Sequence, residues 1–228
     1  MSDTPDREHD HNDESRESVT PRVLVFFDYA CPFCYLDWPR FKRMRSEHAV
    51  ELFLVPFELR PTLDARGVSM EAFGGGHSER VEEHMQLMAR EGDLLLASPG
   101  FMPNTHLALS LGEFARDGGP QVHELVHEAL FAAYNGHAAD IGEMDVLVRI
   151  AQECGLSAEE ARGALDAGTY DERLHQFRHM ALSFGIEATP AALICNELLI
   201  GSRPYRVLEE SLRHCLVDER TITAQAAP

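Results

Sequence analysis

A chain of 228 residues, 44% of them hydrophobic, is long enough to bury a core and fits one domain or one domain with an insertion. Its formal net charge of −18 would repel phosphates, which argues against nucleic acid, and no apolar run approaches the roughly 18 residues a membrane span needs. Five cysteines are an odd number and too few for a disulfide scaffold, so free thiols, a redox pair or metal ligands are their expected uses.

Residues 1–22, MSDTPDREHDHNDESRESVTPR, hold seven acids against three arginines and read as a disordered acidic tail. They carry neither a positive n-region nor an apolar h-region, so a cytoplasmic address follows by default. VLVFFD (23–28) suits one buried strand. After DYACPFC, the run YLDWPRFKRMRSEH reads as a helix kinked at Pro39. ELFLVPFEL (51–59) is a second strand, with Pro56 pointing to an edge position or a bulge.

From about Pro61 the character changes. GVSMEAFGGGHSER reads as a Gly-rich loop, and helical stretches follow to about residue 184, several of them stopping at Gly. Ser157 is a candidate N-cap, with Glu160 three residues on. AALIC (191–195) and ELLIG (197–201) form two strands joined by Asn196 alone, and PYRVLEESLRHCL is a closing helix. A sheet split in sequence by about 120 helical residues means an α/β domain with a helical insertion.

Cys31 and Cys34 make a C-x-x-C pair where the first helix starts. It can be half a zinc site, a redox couple or two core thiols. Zinc would want a second Cys/His pair, and Cys154, Cys195 and Cys215 stand singly. A sulfur at a helix N-terminus meets free amides and the positive end of the dipole, which stabilise a thiolate. Cys31 holds that place and Cys34 falls one turn inside, so an exposed attacking sulfur and a sheltered resolving one are expected. Asp28 and Glu58 are candidate proton acceptors for Cys34, against ordinary roles as solvated or capping acids.

The stretches DYACPFCYL, PFELRPTLDARGVS, FMPNTHLAL, LFAAYNGHAADI, VLVRIAQECGL and GIEATPAALICNELLIGSRPYRVLEESL run in order from Val23 to about Leu216. Through them the chain resembles the FrnE-like branch of the DsbA family of thioredoxin-fold oxidoreductases. The resemblance implies a thioredoxin fold with an inserted α-helical domain. Residues 23–62 and 185–217 would be the thioredoxin-like part, 63–184 the insertion, and 218–228 a flexible C-terminus. It implies Cys31 as nucleophile and Cys34 as resolver. It further implies a groove shaped by Pro190 in cis, with Thr189, Pro32 and Phe33 meeting the substrate. Asn104, in the family's PNT stretch, would line the cleft; a helix cap is its other reading.

Protein or peptide thiols and disulfides would then be the partners, with no cofactor beyond the cysteine pair and glutathione as a candidate reductant. Kappa-class glutathione transferases and hydroxychromene-carboxylate isomerases share similar PNT and PFEL stretches but carry serine where this chain has Cys31. A glutathione-dependent transferase or isomerase is therefore the first alternative, and a redox-inactive peptide-binding or chaperone module the second. Pro32-Phe33 contains no histidine, so a less extreme potential than that of DsbA itself is expected.

A rival motif is HELVH (123–127), which satisfies H-E-x-x-H and on a helix would set His123 and His127 beside Glu124 as in a zinc peptidase. No third ligand stands out, and an ordinary helix face is the expectation, as for His175 and His179 at the same spacing. No metal is expected. Cys195 and Cys215 read as core thiols, with a second disulfide among Cys154, Cys195 and Cys215 as the other option.

Overall fold

The computed structural model describes residues 20–225, with side chains described as far as Leu216, so nearly all of the expected acidic tail lies outside the described residues. Strand β1 (Arg22–Phe27) lies inside a four-stranded sheet, parallel to β2 (Glu51–Pro56) and antiparallel to β5 (Ala191–Ile194), which pairs with β6 (Glu197–Ile200). An inner strand is covered on both faces, which is why VLVFF is apolar without alternation. Its side chains still divide with period two: Val23, Val25 and Phe27 enter one core, Phe26 the other, where it meets Val55, Phe57, Ile186 and Ala191. This is the thioredoxin fold with a helical insertion.

Helix α1 (Pro32–Glu47) starts with Cys31 as N-cap and Pro32 at its first position, where the missing amide costs nothing, and runs on through Pro39. Pro56 closes β2, an edge strand, where a proline is tolerated. The strand ends three residues short of the apolar run. The Phe57 amide still donates to the Phe27 carbonyl of β1 at 2.7 Å, and beyond it the amide of Leu59 turns to the Asp28 carboxylate.

The insertion comprises β3 (Val68–Ser69), α2 (Met70–Phe73), α3 (Glu79–Glu91), β4 (Phe101–Met102), α4 (His106–Asp117), α5 (Pro120–Phe131), α6 (Met144–Glu153), α7 (Ala158–Asp166) and α8 (Asp171–Ser183). The stretch expected as a Gly-rich loop therefore holds a short strand paired with β4 and a one-turn helix. Ser69 caps that helix by accepting from the amide of Ala72, and Gly74 ends it at φ 111°, a conformation glycine adopts freely. Ser157 caps α7 through the amide of Glu160. A π-helical turn, Ala132–Gly136, follows α5.

The β5–β6 connection is two residues, Cys195 and Asn196, rather than Asn196 alone, because Ile194 and Glu197 still pair. Cys195 takes the positive φ of 52° that a two-residue hairpin turn favours. Helix α9 (Tyr205–Gln225) takes in most of residues 218–228, where the chain has no Gly or Pro before Pro228. A disulfide joins Cys195 to Cys215, tying the hairpin turn to α9 with Cα atoms 5.9 Å apart.

HELVH is a docking face. His127 is 1% exposed and packs edge-on against Phe27, Trp38 and Phe131, while Glu124 accepts two bonds of 2.7 Å from Arg45 of α1. Glu128 receives Trp38 Nε1 at 2.8 Å and Lys42 Nζ at 2.7 Å. Glu124 of the motif and the adjacent Glu128 hold the insertion to the helix that carries the dithiol, and burial drives both histidines below their ordinary pKa. His175 and His179 lie at the surface.

Candidate active site

The site is built where β1 hands over to α1. The Asp28 carbonyl accepts the amide of Cys31 at 3.0 Å, and its carboxylate accepts the amides of Ala30 (3.0 Å) and Leu59 (2.8 Å), so one acidic residue shapes the turn that delivers Cys31 to the helix start. The Asp28 side chain is fully enclosed. Burial raises its pKa above the usual carboxylate value, the amides of Leu59 and Ala30 and the Thr105 hydroxyl pull the other way, and the charge of Glu58 adds to the rise.

Cys31 and Cys34 are 6% and 5% exposed, so the expected contrast between an open and a sheltered sulfur is absent. The loop before β5 lies over Cys31, whose thiol donates to the Thr189 carbonyl at 3.4 Å. The two cysteines differ in hydrogen bonding instead. Burial acts to raise the Cys31 thiol, but bonds from the Cys34 thiol, from Thr189 and from the Cys34 amide outweigh it and hold the group below its ordinary value. Cys34 is pushed well up, first by burial and then by donating to Cys31. The Thr189 hydroxyl is buried with no hydrogen-bond partner among the described residues, which leaves it free to serve a thiolate. The Thr189–Pro190 peptide bond is cis.

The other expected residues fall around this pair. Pro32 borders a cavity of about 760 Å³ that begins at Ala30 and extends beneath α3. Phe33 stands beside it, its ring 6.3 Å from that of His77 and 6.4 Å from that of His84. Glu58 is 7% exposed and bonds His106 Nδ1 at 3.1 Å, and His106 Nε2 meets Asp171 at 3.0 Å. Asn104 is engaged in its own loop: Nδ2 donates to the Leu63 carbonyl and Oδ1 accepts the amide of His106, just ahead of α4, whose N-cap residue is Thr105. It is not among the residues that line the cavity.

A family model described as the DSBA-like thioredoxin domain matches residues 22–213. The chain belongs to that family. A curated relative from Bacillus subtilis, named uncharacterized protein YwbO, is 26% identical over 198 residues, 85% of this chain and 96% of its own length. Among solved structures, one described as a probable DsbA oxidoreductase from Streptomyces coelicolor matches with TM-score 0.76 and 22% identity, covering 85% of this chain and 89% of that one. A 2-hydroxychromene-2-carboxylate isomerase matches with TM-score 0.70 and 16% identity, covering 88% and 98%. Both structures share the fold.

This DSBA-like chain also uses residues that the sequence reading passed over. Asn135, buried in the π turn, donates to the carbonyl of Tyr29 beside the motif, and its own carbonyl accepts the amide of Ala97. His106 is held up at about 9 by its bond to Glu58, then by Asp171, with burial opposing. The signals were present as the YNG and PNTH stretches, but nothing local says that residues 29 and 135, or 58 and 106, will meet. Among the described residues the one group of three close ligand atoms is Glu47 and His48, at the C-terminal end of α1, with Glu209 in the first turns of α9.

Proposed function

We propose that the protein is a thiol–disulfide oxidoreductase that exchanges disulfides with protein or peptide substrates through Cys31 and Cys34. The supporting observation is the opposed pair of pKa shifts: a depressed thiol at the helix start, touched by the Thr189 loop, against a raised partner one turn in. The Cys31 thiolate attacks one sulfur of the substrate disulfide, forming a mixed disulfide and releasing the other sulfur as a thiolate. Cys34 gives up its proton and attacks Cys31 Sγ. That closes the Cys31–Cys34 disulfide and frees the second substrate thiolate, so two electrons pass to the substrate. Run backwards, the same steps oxidise a substrate dithiol. Asp28 is the proton acceptor in this reading, since a buried carboxylate with a raised pKa is matched to the task. Glu58 is already engaged by His106.

The dithiol is the whole of the redox apparatus, with glutathione as candidate reductant and neither nucleic acid nor membrane as partner. No described helix is long and apolar enough to cross a membrane. The cytoplasmic address expected from the sequence would keep the dithiol reduced, and flow would then run toward substrate disulfides. Within the family, the FrnE-like branch is the finer reading, carried by the dithiol together with the PNT stretch.

The second reading, a glutathione-using isomerase or transferase, is favoured by the fold shared with the chromene-carboxylate isomerase. Substituting Cys31→Ser decides between them. Insulin reduction and refolding of a scrambled substrate should both vanish; if either survives, the exchange reading is wrong.

A further inference from the structure

The cavity beside the dithiol carries a charge pattern of its own. Met70, Met85 and Met102 line it, and thioether side chains are flexible and polarizable enough to mould around apolar groups of different shape. Glu79, Glu82 and Glu83 stand along one wall, spaced three and four residues apart so that they share a face of α3. None of the three has an ion-pair partner among the described residues, whereas acids elsewhere on the surface do: Glu124 with Arg45, Glu128 with Lys42, Asp117 with Arg173. Arg90 is the wall's one permanent cation and offsets a single carboxylate. The volume, about 760 Å³, falls in the usual range of ligand sites.

We propose that this cavity selects polypeptide substrates in which a basic residue and an apolar one lie within a few positions of the reacting cysteine. The inference rests on the reading of Cys31 and Cys34 as an exchange couple, and names the substrate that couple prefers. Ala30 and Pro32, the chain neighbours of Cys31, are among the residues that line the cavity. An extended chain advances about 3.3–3.6 Å per residue, so side chains two or three residues from a bound cysteine reach it. The apolar side chain seats against the methionines, and the Lys or Arg head meets the three exposed carboxylates, an attraction that salt screens. The same wall draws basic chains in and repels acidic ones. Oxidised glutathione has two carboxylates and one ammonium in each half, so the wall disfavours it. Glu79 and Glu82, in the first turn of α3, also suit the helix dipole, but that contribution affects stability and leaves substrate preference unmoved.

The test compares four disulfides on the full-length reduced protein: a peptide with Lys and Leu beside its cysteine, the same peptide with Glu for Lys, oxidised glutathione, and uncharged bis(2-hydroxyethyl) disulfide. The basic peptide should show kcat/KM about tenfold above the acidic one at low salt, mostly through KM, with the gap closing as salt is added. In the triple variant Glu79→Gln, Glu82→Gln, Glu83→Gln the ratio should fall toward one. Equal rates for the two peptides, or oxidised glutathione as the best substrate, would overturn the proposal while turnover of bis(2-hydroxyethyl) disulfide left the exchange reading standing. No turnover of any of the four would remove that reading, and the specificity with it. The comparison on the unmodified protein decides without the variant.

Discussion

The Thr189 hydroxyl is buried beside the Cys31 thiol with no hydrogen-bond partner among the described residues, while the thiol itself points at the Thr189 carbonyl 3.4 Å away. One residue thus offers an acceptor to the protonated sulfur and a donor to the ionised one. A hydroxyl rotates at little cost, so the loop is organised for the thiolate before the proton leaves.

Replacing Thr189 with valine keeps the shape and the carbonyl and deletes the donor. A hydrogen bond to a charged group contributes about 1.5 kcal/mol, so the Cys31 pKa should rise by about one unit. Ultraviolet absorbance of the thiolate against pH measures it, and Thr189→Ser should restore the original value. An unchanged titration in the valine variant would rule the hydroxyl out as donor.

The division of labour predicts opposite fates for the two cysteines. Cys34→Ala should still attack a substrate disulfide through Cys31 and should stall as a mixed disulfide with the substrate peptide, visible by intact-mass spectrometry. Cys31→Ala should form no such adduct at neutral pH, because the remaining thiol is held well above its ordinary pKa. Adduct in the second variant but not the first would reverse the roles.

Asp28→Asn leaves an oxygen to accept an amide of the turn but removes the carboxylate proposed to take the Cys34 proton. Losing a positioned general base costs about a hundredfold. The loss should fall on the second step alone, so rapid-mixing experiments should show normal formation of the mixed disulfide and its slow decay. Equal slowing of both steps would mean that Asp28 only shapes the turn.

His106 ties β2's end to the insertion through Glu58 and Asp171, and its pKa is raised from 6.5 to about 9. The folded state therefore holds this proton more tightly than the unfolded chain does. The stability it gives is complete below about pH 6.5 and is lost as pH climbs through about 9. Urea midpoints should fall across that window in the native protein and change less in His106→Gln. Parallel pH profiles for the two would remove the ion pair from the account.

Cys195 and Cys215 close a loop across 20 residues, for which the chain-entropy model gives about 3 kcal/mol. The double variant Cys195→Ala, Cys215→Ala should lose stability of that order in urea unfolding while still reacting with a disulfide through Cys31. No loss of stability would mean that the bridge does not restrain the unfolded chain.

How far the sequence carried depended on the range of the interaction. Helix starts were legible where the cause is local, as at Ser157 with Glu160, and so was the dithiol on its helix, because Cys31, Pro32 and Cys34 are neighbours. Pro56 told its edge position for the same reason. What sequence did not disclose depends on residues far apart meeting. The expected open Cys31 is covered by a loop 158 residues away. Asn135 beside Tyr29, His106 between Glu58 and Asp171, and the acid-lined cavity arise only when the insertion packs down. HELVH, expected to be an ordinary helix face despite its fit to a zinc motif, packs His127 on an aromatic core and Glu124 on Arg45, partners that no spacing rule names.

The order in which the chain is made gives the covering loop a further consequence. Cys31 leaves the ribosome 158 residues ahead of Thr189, an interval of roughly 8 to 30 s at ordinary translation rates. Through that time β1 lacks its antiparallel neighbour β5, and the sulfur lacks both its cover and the hydroxyl that favours its ionised form. The nascent protein thus carries the cysteine pair with only the Cys34 bonds to lower the Cys31 thiol, and the contribution of Thr189 is added when the final hairpin closes over them.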